Sequence, residues 1–583
     1  MTGTEAPSLA VRIERAVAAA IARALPDLAG ADPLVRASDR ADFQSNAAMA
    51  LAKRAGRRPA DLAADLVAAL RDDPALAEVS VSGPGFVNVT LSDAAVWRQV
   101  AARLAAPRLG VGTPELGRRT VIDYSAPNIA KEMHVGHLRT TIIGDCLARV
   151  LAFLGAEVIR QNHLGDWGTQ FGMLIQYLDE HPDAAWHHDQ LADGTSPVSA
   201  LDRLYRAARA AFDADPAFAD RARARVVALQ AGEPATVARW REIVAESELA
   251  FREIYDRLGV LLTPEDSAGE SFYNPLLPGV VEELTAAGIA VESDGALCVF
   301  DDDITGPDGK PTPLMVRKSD GGHGYDTTDL ATLRYRIRDL KADRILYVVD
   351  ARQALHFRLV FAAARRAGWL TDEVEVEHVA FGTVLGQDGR PFKTRSGDTV
   401  RLMDLLDAAV ERARAVVAEK ADPAPVDVAE QAGIGAVKYA DLSTSRTKDY
   451  VFDVDRMVSL TGNTGVYLQY AHTRIRSILR KAGDVPVAVD PTVPAHPAER
   501  ALALALDGFG DTLADVGRTL EPHRLCGYLF ALAKAFTDFY EACPVLSAAT
   551  PAERGNRLAL CHLTAGTLRQ GLDLLGITAP ERM

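Results

Sequence analysis

Two histidines at a predicted helix start are the residues of this sequence best placed to do chemistry. Residues 121–141 predict a strand, a loop and a helix, and His134, Gly136 and His137 lie where the loop enters the helix. In open parallel sheets, ligands bind where the carboxyl ends of strands meet helix N-termini. Two imidazoles one turn apart can donate hydrogen bonds to phosphate oxygens, and a glycine between them lets a ligand approach the backbone. The pattern suits a nucleotide site, but two histidines at a helix start with capping roles are the alternative, which this pattern taken alone favours.

Short apolar strands that alternate with helices must position this site. From Thr120 onward they recur at residues 121–122, 158–159, 314–316, 345–349 and 374–381. Such alternation predicts a parallel sheet that helices cover on both faces. Residues 182–262 are charged and helical in pattern without strand signals, so we predict that they form an insertion between two halves of the sheet.

The two ends of the chain differ from this middle part. At the N-terminal end, helical patterns accompany a predicted hairpin at residues 79–89, which indicates a small α+β domain. After Pro423 no further strand is predicted, and successive helical patterns indicate an α-helical bundle. The sequence therefore predicts three domains, at residues 1–110, 116–425 (with the insertion at 182–262) and 426–583.

Composition excludes several classes of protein. With 583 residues, 48% hydrophobic and 25% charged, the chain can bury cores and is neither disordered nor membrane-like. Its formal net charge of -15 argues against unspecific attraction to polyanions, so a nucleic-acid partner needs local basic clusters. Five cysteines without a CxxC pair suggest neither a zinc site nor disulfides, and we find no signal peptide and no span of ~20 apolar residues. We predict a cytoplasmic protein without membrane contact or a structural metal.

The sequence around the two histidines resembles the HIGH region of class I aminoacyl-tRNA synthetases. Ser125-Ala-Pro-Asn128 precedes HVGH, and Arg139-Thr-Thr-Ile-Ile-Gly144 follows it. The arginyl-tRNA synthetase family is the most similar, because GDWGTQFG at 165–172 looks like its segment and further matches follow in its order, at 325–330, 350–357, 381–383, 467–474 and 572–583. The resemblance implies a multidomain fold with a small α+β N-terminal domain, an α/β Rossmann-like parallel-sheet catalytic domain with a helical insertion, and an all-α C-terminal anticodon-binding bundle.

The activity that this resemblance implies is that of an arginine–tRNA ligase. L-Arginine reacts with Mg-bound ATP to give arginyl-adenylate, and the 3′-terminal adenosine of the arginine tRNA then accepts the acyl group. A monomer is the implied oligomeric state. Two alternatives remain, a Rossmann-type nucleotidyltransferase and a non-catalytic tRNA-binding relative. The former usually lacks a long helical C-terminal domain, and the intact HVGH motif weighs against the latter.

The ATP side of the implied site departs from the class pattern at one point. ATP contacts are implied for His134, Gly136, His137, Gly382 and Thr383. In place of the KMSKS loop stands Phe-Lys-Thr-Arg-Ser-Gly at 392–397, where Arg395 replaces the second lysine and Lys393 is one place out of register. Many arginyl enzymes without this loop compensate with a lysine just upstream of HVGH, here Lys131. Because a leaving pyrophosphate needs a nearby cation, we rank Lys131, Arg395 and Lys393 in that order as catalytic; a solvated loop lysine is the alternative for Lys393.

A pocket for arginine needs carboxylates and carbonyls, because a guanidinium group only donates hydrogen bonds. Asp123 ends the first strand of the predicted sheet, and Asp329 lies one turn beyond Tyr325 on a predicted helix. Charge-assisted bonds to both acids would favour arginine over citrulline. The resemblance adds Asn128 on the substrate amino acid, Tyr325 on its side chain and Gln353 to complete the pocket. The alternatives are a core aromatic for Tyr325 and a polar helix-start residue for Gln353.

Local basic clusters offer surfaces for RNA despite the acidic total. Four cations lie within residues 53–58 and four within 474–481, the latter beside two tyrosines. Arginine and aromatic faces suit the splayed bases of a single-stranded loop. The resemblance implies that the bundle reads the anticodon and that the N-terminal domain contacts the tRNA elbow. The candidate residues are Tyr470 and Arg474 in the bundle and Phe43, Gln44 and Asn46 in the N-terminal domain. A solvated helix face is the alternative for either cluster.

Overall fold

An antiparallel sheet with helices packed on it forms the N-terminal part of the structure. The structure is a computed structural model that describes residues 6–188, 197–306, 309, 311–392, 400–418, 426–483 and 487–583. The first elements are α1 (Leu9–Ala24), β1 (Val35–Ala37), β2 (Phe43–Ser45), α2 (Ala47–Ala55), α3 (Pro59–Leu70), β3 (Leu76–Ser82), β4 (Phe86–Leu91) and α4 (Asp93–Ala105). The strand order is β1-β2-β4-β3, and Val79 pairs with Val89, so the predicted hairpin is confirmed.

A parallel sheet of four strands, in the order 375–378, 344–347, 119–123 and 157–161, forms the middle part, as the alternation of strands and helices predicts. Its elements are β5 (Arg119–Asp123), α5 (Val135–Phe153), β6 (Glu157–Gln161), α6 (Thr169–Glu180), α7 (Pro197–Ala214), α8 (Pro216–Gln230), α9 (Pro234–Leu258), α10 (Glu270–Tyr273), α11 (Leu277–Ala286), β7 (Ala290–Ser293), β8 (Ala296–Val299), β9 (Leu314–Arg317), α12 (Tyr325–Arg338), β10 (Arg344–Tyr347), α13 (Ala354–Arg366), β11 (Glu375–His378), β12 (Val384–Leu385) and α14 (Leu402–Ala418). Asp123 lies beside Gln161 and Tyr347 at the carboxyl edge of this sheet. This edge is where a parallel sheet presents its ligand site.

The assignment of residues 314–316 to the parallel sheet is wrong. They belong to β9, which pairs with β8 in the antiparallel sheet β7-β8-β9. Along β9 the residues alternate between buried and exposed, with Leu314 and Val316 inside and Met315 outside. Strands of a sheet covered on both faces are apolar throughout, whereas alternation indicates a sheet with one solvated face.

Helices build the C-terminal part. They are α15 (Val426–Leu442), α16 (Val454–Met457), α17 (Gly465–Ala482), α18 (Pro497–Asp507), α19 (Phe509–Thr519), α20 (His523–Ala542) and α21 (Pro551–Leu574), with a short strand β13 (Tyr450–Val451) before α16. The expectation that no strand follows Pro423 is wrong, because β13 pairs in parallel with β12; two residues are too few to give a strand pattern. Helices α18 and α19 meet at Gly508.

Buried ion pairs join the helical part to the rest of the molecule. Arg139 in α5 lies 3.3 Å from the carboxylate of Asp441 in α15, and both side chains are at most 1% exposed. Arg139 also donates to the carbonyl of Lys448 at 2.9 Å. Arg103 in α4 pairs with Asp507 in α18 at 2.6 Å. Because an unpaired buried charge is costly, each pair fixes how its two helices meet.

Candidate active site

The two signature histidines form the N-terminal cap of α5. The Nδ1 atom of His134 accepts a hydrogen bond from the backbone of Gly136 at 3.0 Å, and Nδ1 of His137 accepts one from the backbone of His134 at 3.1 Å. A nitrogen that accepts carries no proton, so the proton of each neutral ring lies on Nε2. The capping alternative and the ligand interpretation are therefore compatible, because capping uses Nδ1 and leaves each Nε2–H to donate to a ligand.

Burial keeps both rings in this neutral form. It lowers the pKa of His137 to about 3, with the neighbouring His134 adding to the shift. The pKa of His134 is also lowered, first by burial and then by the charge of Lys131. A Cβ atom on Gly136 would lie 2.7 Å from the His134 ring. The structure therefore gives Gly136 a role in addition to close ligand approach, since only glycine leaves room for the capping imidazole.

The loop between β5 and α5 holds a strained backbone. Three of its residues lie in the left-handed region, Ser125 with φ 74°, Ala126 with φ 47° and Ala130 with φ 61°. Hydrogen bonds from the backbone of Ser125 to Thr140 and from that of Ala126 to Asn162, each 3.0 Å, fix this conformation. Such strain persists where the surroundings enforce it, and it clusters at ligand sites.

The segment at Gly382 and Thr383 lies against the first residues after α15. The backbone of Gly382 donates to the carbonyl of Arg446 at 2.8 Å, and that of Thr383 donates to the Asp449 carboxylate at 2.6 Å. A Cβ on Gly382 would lie 2.8 Å from the carbonyl of Lys448. The helical part of the chain therefore holds the segment that the resemblance assigns to ATP.

Two of the three candidate cations, Lys393 and Arg395, lie outside the described residues. The chain resumes at Val400, whose carbonyl accepts a hydrogen bond of 3.0 Å from the backbone of Val135, the first residue of α5. The first described residue after these two candidates therefore lies beside the start of α5.

The third candidate cation, Lys131, points its ammonium group at the insertion. Its Nζ lies 5.1 Å from the ring centre of Tyr205 in α7, a cation–π distance. The adjacent Glu132 accepts hydrogen bonds from Ser199 in α7 and, at 3.3 Å, from Arg401. Helix α7 therefore holds the segment just upstream of HVGH.

A cavity of about 940 Å³ opens between the loop before α5 and the start of α12. Asn128, Tyr325 and Glu270 line it, and Tyr325 is 67% exposed. Burial raises the pKa of Glu270 to about 7, and repulsion by Asp166 and Asp329 adds to the shift. Glu270 is a residue that sequence reasoning missed, because nothing in its neighbourhood along the chain marks it; only the fold brings it to this cavity.

Asp329 is held by a histidine that the sequence did not single out. His356 Nε2 lies 2.6 Å from Asp329 Oδ2, and its Nδ1 lies 3.2 Å from Asp326 Oδ1. These two acids raise the pKa of His356 to about 9 against the opposing effect of burial. The ring of Tyr325 lies 5.2 Å away. The structure thus brings Tyr325 and Asp329 together, as the spacing predicts.

The other two arginine candidates have different surroundings. The Asp123 carboxylate accepts a 2.8 Å hydrogen bond from the chain's own Arg336, which is fully buried and also donates to Gln161. Contact between Asp123 and a substrate stays a prediction, and the structure adds that one of its oxygens is already paired. Gln353 is exposed at the start of α13, where it acts as the N-cap residue, and its contact also stays a prediction.

The RNA candidates divide into buried and accessible side chains. Phe43 is part of the N-terminal core, and Gln44 is buried in β2 with its amide bonded to Asn88 at 2.8 Å, so neither side chain is presented to solvent. Tyr470 is 38% exposed on α17. One turn further, Arg474 lies 4.5 Å from the ring centre of Tyr540. The half-buried Asn46 caps the entry to α2 without a side-chain hydrogen bond.

The described residues contain neither a cluster of metal ligands nor a helix that could span a membrane. There, no group of three or more His, Cys, Asp or Glu side chains is arranged to hold a metal ion. Every described helix is too short or too polar to cross a membrane. All five cysteines are buried and free.

Comparison with known proteins gives three family matches in chain order. Residues 11–91 match the arginyl tRNA synthetase N terminal domain, residues 99–454 the catalytic domain of class I (R) tRNA synthetases, and residues 468–583 the DALR anticodon binding domain. With the capped HVGH helix at the edge of a parallel sheet, these matches define a class I aminoacyl-tRNA synthetase. The implied multidomain fold is confirmed.

Relatives along the whole chain specify the amino acid. The sequence is 76% identical to the arginine–tRNA ligase of Frankia casuarinae over 100% of both chains, and 54% identical to that of Streptomyces avermitilis over 99% of both. Among solved structures, the arginyl-tRNA synthetase of Plasmodium falciparum aligns with a TM-score of 0.81 and 28% identity over 99% of both chains. That of Thermus thermophilus gives 0.79 and 27% over 99% of this chain and 100% of its own. The chain belongs to the arginyl-tRNA synthetase family, whose activity is that of an arginine–tRNA ligase.

Proposed function

We propose that this chain activates L-arginine with ATP between the start of α5 and the acid-lined cavity, and then transfers the arginyl group to tRNA. The observation that carries this proposal is the histidine pair, whose hydrogen bonds place one proton on Nε2 of His134 and one on Nε2 of His137. Two neutral donors at a helix N-terminus suit the phosphate oxygens of a nucleotide. The runner-up, a small-molecule nucleotidyltransferase, is not favoured, because all three family matches belong to tRNA synthetases.

In the activation step, a carboxylate oxygen of arginine attacks the α-phosphorus of MgATP. The bond to the bridging oxygen breaks, and pyrophosphate leaves with its electron pair. The protein positions the reactants and stabilises charge, which is the main source of rate in phosphoryl and nucleotidyl transfer. We assign phosphate contacts to His134 and His137 and the cation near the leaving group to Lys131, with Arg395 and Lys393 as further cations. Gly382 and Thr383 complete the nucleotide side.

For the side chain of arginine, we propose that the guanidinium donates to Asp329 and Glu270. Oδ1 of Asp329 has no hydrogen-bond partner among the described residues, and its side chain is 21% exposed, so it can accept from a ligand. Glu270 lies in the same cavity wall as Asn128 and Tyr325. A bound cation offsets the repulsion between these acids, whereas a neutral isostere would leave them unpaired. Asp123 and Gln353 remain proposed pocket residues.

The transfer step needs a surface for tRNA. We propose that the face of α17 with Tyr470 and Arg474 contacts anticodon bases, since exposed aromatic and guanidinium groups stack on unpaired bases. In the N-terminal domain, Asn46 is half-buried, whereas Phe43 and Gln44 are buried. It is therefore the best supported of the three elbow candidates.

Three finer points belong to the same proposal. Mg²⁺ enters as part of the ATP substrate, bound through phosphate oxygens. Five free cysteines support a reducing compartment, so we propose a cytoplasmic location. A monomer is the oligomeric state that we propose from the family resemblance.

Arginine-dependent exchange of pyrophosphate into ATP tests the proposed activity. We expect exchange with arginine when arginine tRNA is present, and a much lower rate without it, as the family resemblance implies. Absence of exchange under both conditions would refute the enzyme proposal. Exchange that depends on another amino acid would refute the substrate assignment.

A further inference from the structure

Two hydrogen bonds and one ion pair link the backbone of β9 to Asp329. The backbone N–H of Met315 donates to Asp326 Oδ2 at 2.8 Å. The other oxygen of Asp326, Oδ1, lies 3.2 Å from Nδ1 of His356, and Nε2 of His356 lies 2.6 Å from Asp329 Oδ2. Three elements, β9, α12 and α13, therefore meet at one imidazole.

Both nitrogens of this imidazole face carboxylates, and ionised carboxylates only accept hydrogen bonds. His356 must carry a proton on each nitrogen to satisfy both, so it is an imidazolium ion. Its surroundings hold it in place, since its side chain is only 12% exposed and the Phe357 ring lies edge-on at 5.3 Å. The charged groups that act on it are the two acids of α12, and the ring of Tyr325, at the start of the same helix, lies 5.2 Å away.

We infer that His356 is a positioning residue for arginine recognition: it holds Asp329 with Oδ2 toward α13 and leaves Oδ1 to accept from the substrate guanidinium. The inference deepens the proposed function and rests on the role of Asp329 given there. His356 contributes no contact with the substrate; it acts through the carboxylate that it orients.

The imidazolium also sets the charge of the pocket. Asp326 and Asp329 lie one turn apart on α12, where two carboxylates repel each other. With His356 between them the trio carries a net charge of about -1, which a single guanidinium neutralises. Without His356, the two acids would repel and Asp329 would lose its fixed orientation. A flexible acceptor costs affinity, because ordering it must be compensated on binding.

Steady-state exchange kinetics with tRNA present test the inference. We expect His356→Gln to raise the KM for arginine by about tenfold or more, the effect of a lost charge-assisted interaction, with the KM for ATP and kcat changed little. Asp326→Asn should raise the same KM, because it releases the other side of His356. His181→Gln is the matched control. Nδ1 of His181 lies 2.8 Å from the carbonyl of Tyr177 at the end of α6, and His181 is exposed, so its variant should leave the KM for arginine unchanged.

A pH series adds a readout that a purely structural role would not move. His356, with a pKa raised to about 9, loses its charge above that pH, so the advantage of the wild type over His356→Gln should shrink between about pH 7 and pH 10. The α-amino group of arginine titrates in the same pH range, but it affects both enzymes equally. The ratio of the KM of His356→Gln to the KM of the wild type therefore reports only the titration of the protein.

The variant Asp329→Asn tests the proposed arginine site separately from the positioning role of His356. If it leaves the KM for arginine unchanged, the proposed arginine site is wrong. If it raises that KM while His356→Gln and Asp326→Asn do not, the arginine site stands and the positioning role of His356 is refuted. A lower kcat at constant KM for arginine in His356→Gln would also refute it. Should His356→Gln fail to fold, Asp326→Asn decides.

Discussion

Three titratable groups at the site owe their protonation states to their surroundings. Burial at a helix start makes His137 neutral with a pKa of about 3, whereas two carboxylates give His356 a pKa of about 9. Glu270, buried among acids, has a pKa of about 7. The sequence predicted His134 and His137 because their spacing is local. It could not single out Glu270 or His356, since their roles depend on contacts across the fold.

The titration of Glu270 gives a test at the same scale. Arginine binds the carboxylate form, so the KM for arginine should fall as the pH rises through about 7, by up to about tenfold between pH 6 and pH 8. Glu270→Gln should raise the KM and abolish its pH dependence in this window. A wild-type KM that stays constant from pH 6 to pH 8, or a variant with the same slope as the wild type, would remove Glu270 from the arginine site.

Ionised Glu270 also opposes folding, so this group's contribution to stability falls as the pH rises from about 4.5 to about 7.

The elements around the site follow from sequence patterns wherever these patterns are long. The HVGH helix and strands β5, β6, β10 and β11 were predicted, because short apolar segments that alternate with helical patterns indicate a parallel sheet. β9 was assigned to the wrong sheet, because Leu314, Met315 and Val316 form an apolar run although Met315 is exposed, and β13 was missed, because two residues carry no periodicity. From the sequence, helix capping by the two histidines was an alternative to ligand binding. Only the structure shows that the two roles are compatible, because capping uses Nδ1 of each ring and leaves Nε2 for a ligand.

The start of α5 offers a test at the level of an element. Gly136→Ala places a methyl group 2.7 Å from the His134 ring, which must move and lose its hydrogen bond to the helix backbone. We expect the KM for ATP to rise by about tenfold or more while the KM for arginine changes less. Gly527→Ala is the matched control. Nothing lies within 4 Å of a Cβ at Gly527 in α20, so this variant should retain both constants. Equal ATP kinetics for the two variants would show that the His134 ring is not required where the structure places it.

At the scale of the molecule, buried ion pairs connect the helical C-terminal part to the N-terminal part and to the middle part. Arg139 lies two residues after the second signature histidine and pairs with Asp441, 302 positions away. The sequence predicted the order of the parts, which the family matches follow. It could not predict such a pairing, because long-range contacts leave no local pattern. The net charge of -15 does not conflict with an RNA partner, since candidate contacts are confined to local surfaces.

Discrimination between arginine and citrulline tests the central claim most directly. The two molecules have nearly the same shape, but citrulline replaces the guanidinium cation with a neutral urea. If Asp329 and Glu270 read a charged donor, kcat/KM for activation in the presence of tRNA should favour arginine by about a thousandfold or more, because citrulline leaves both carboxylates without a charged donor. Comparable kcat/KM values for the two substrates would show that the cavity reads shape rather than charge, and would contradict this account of the site.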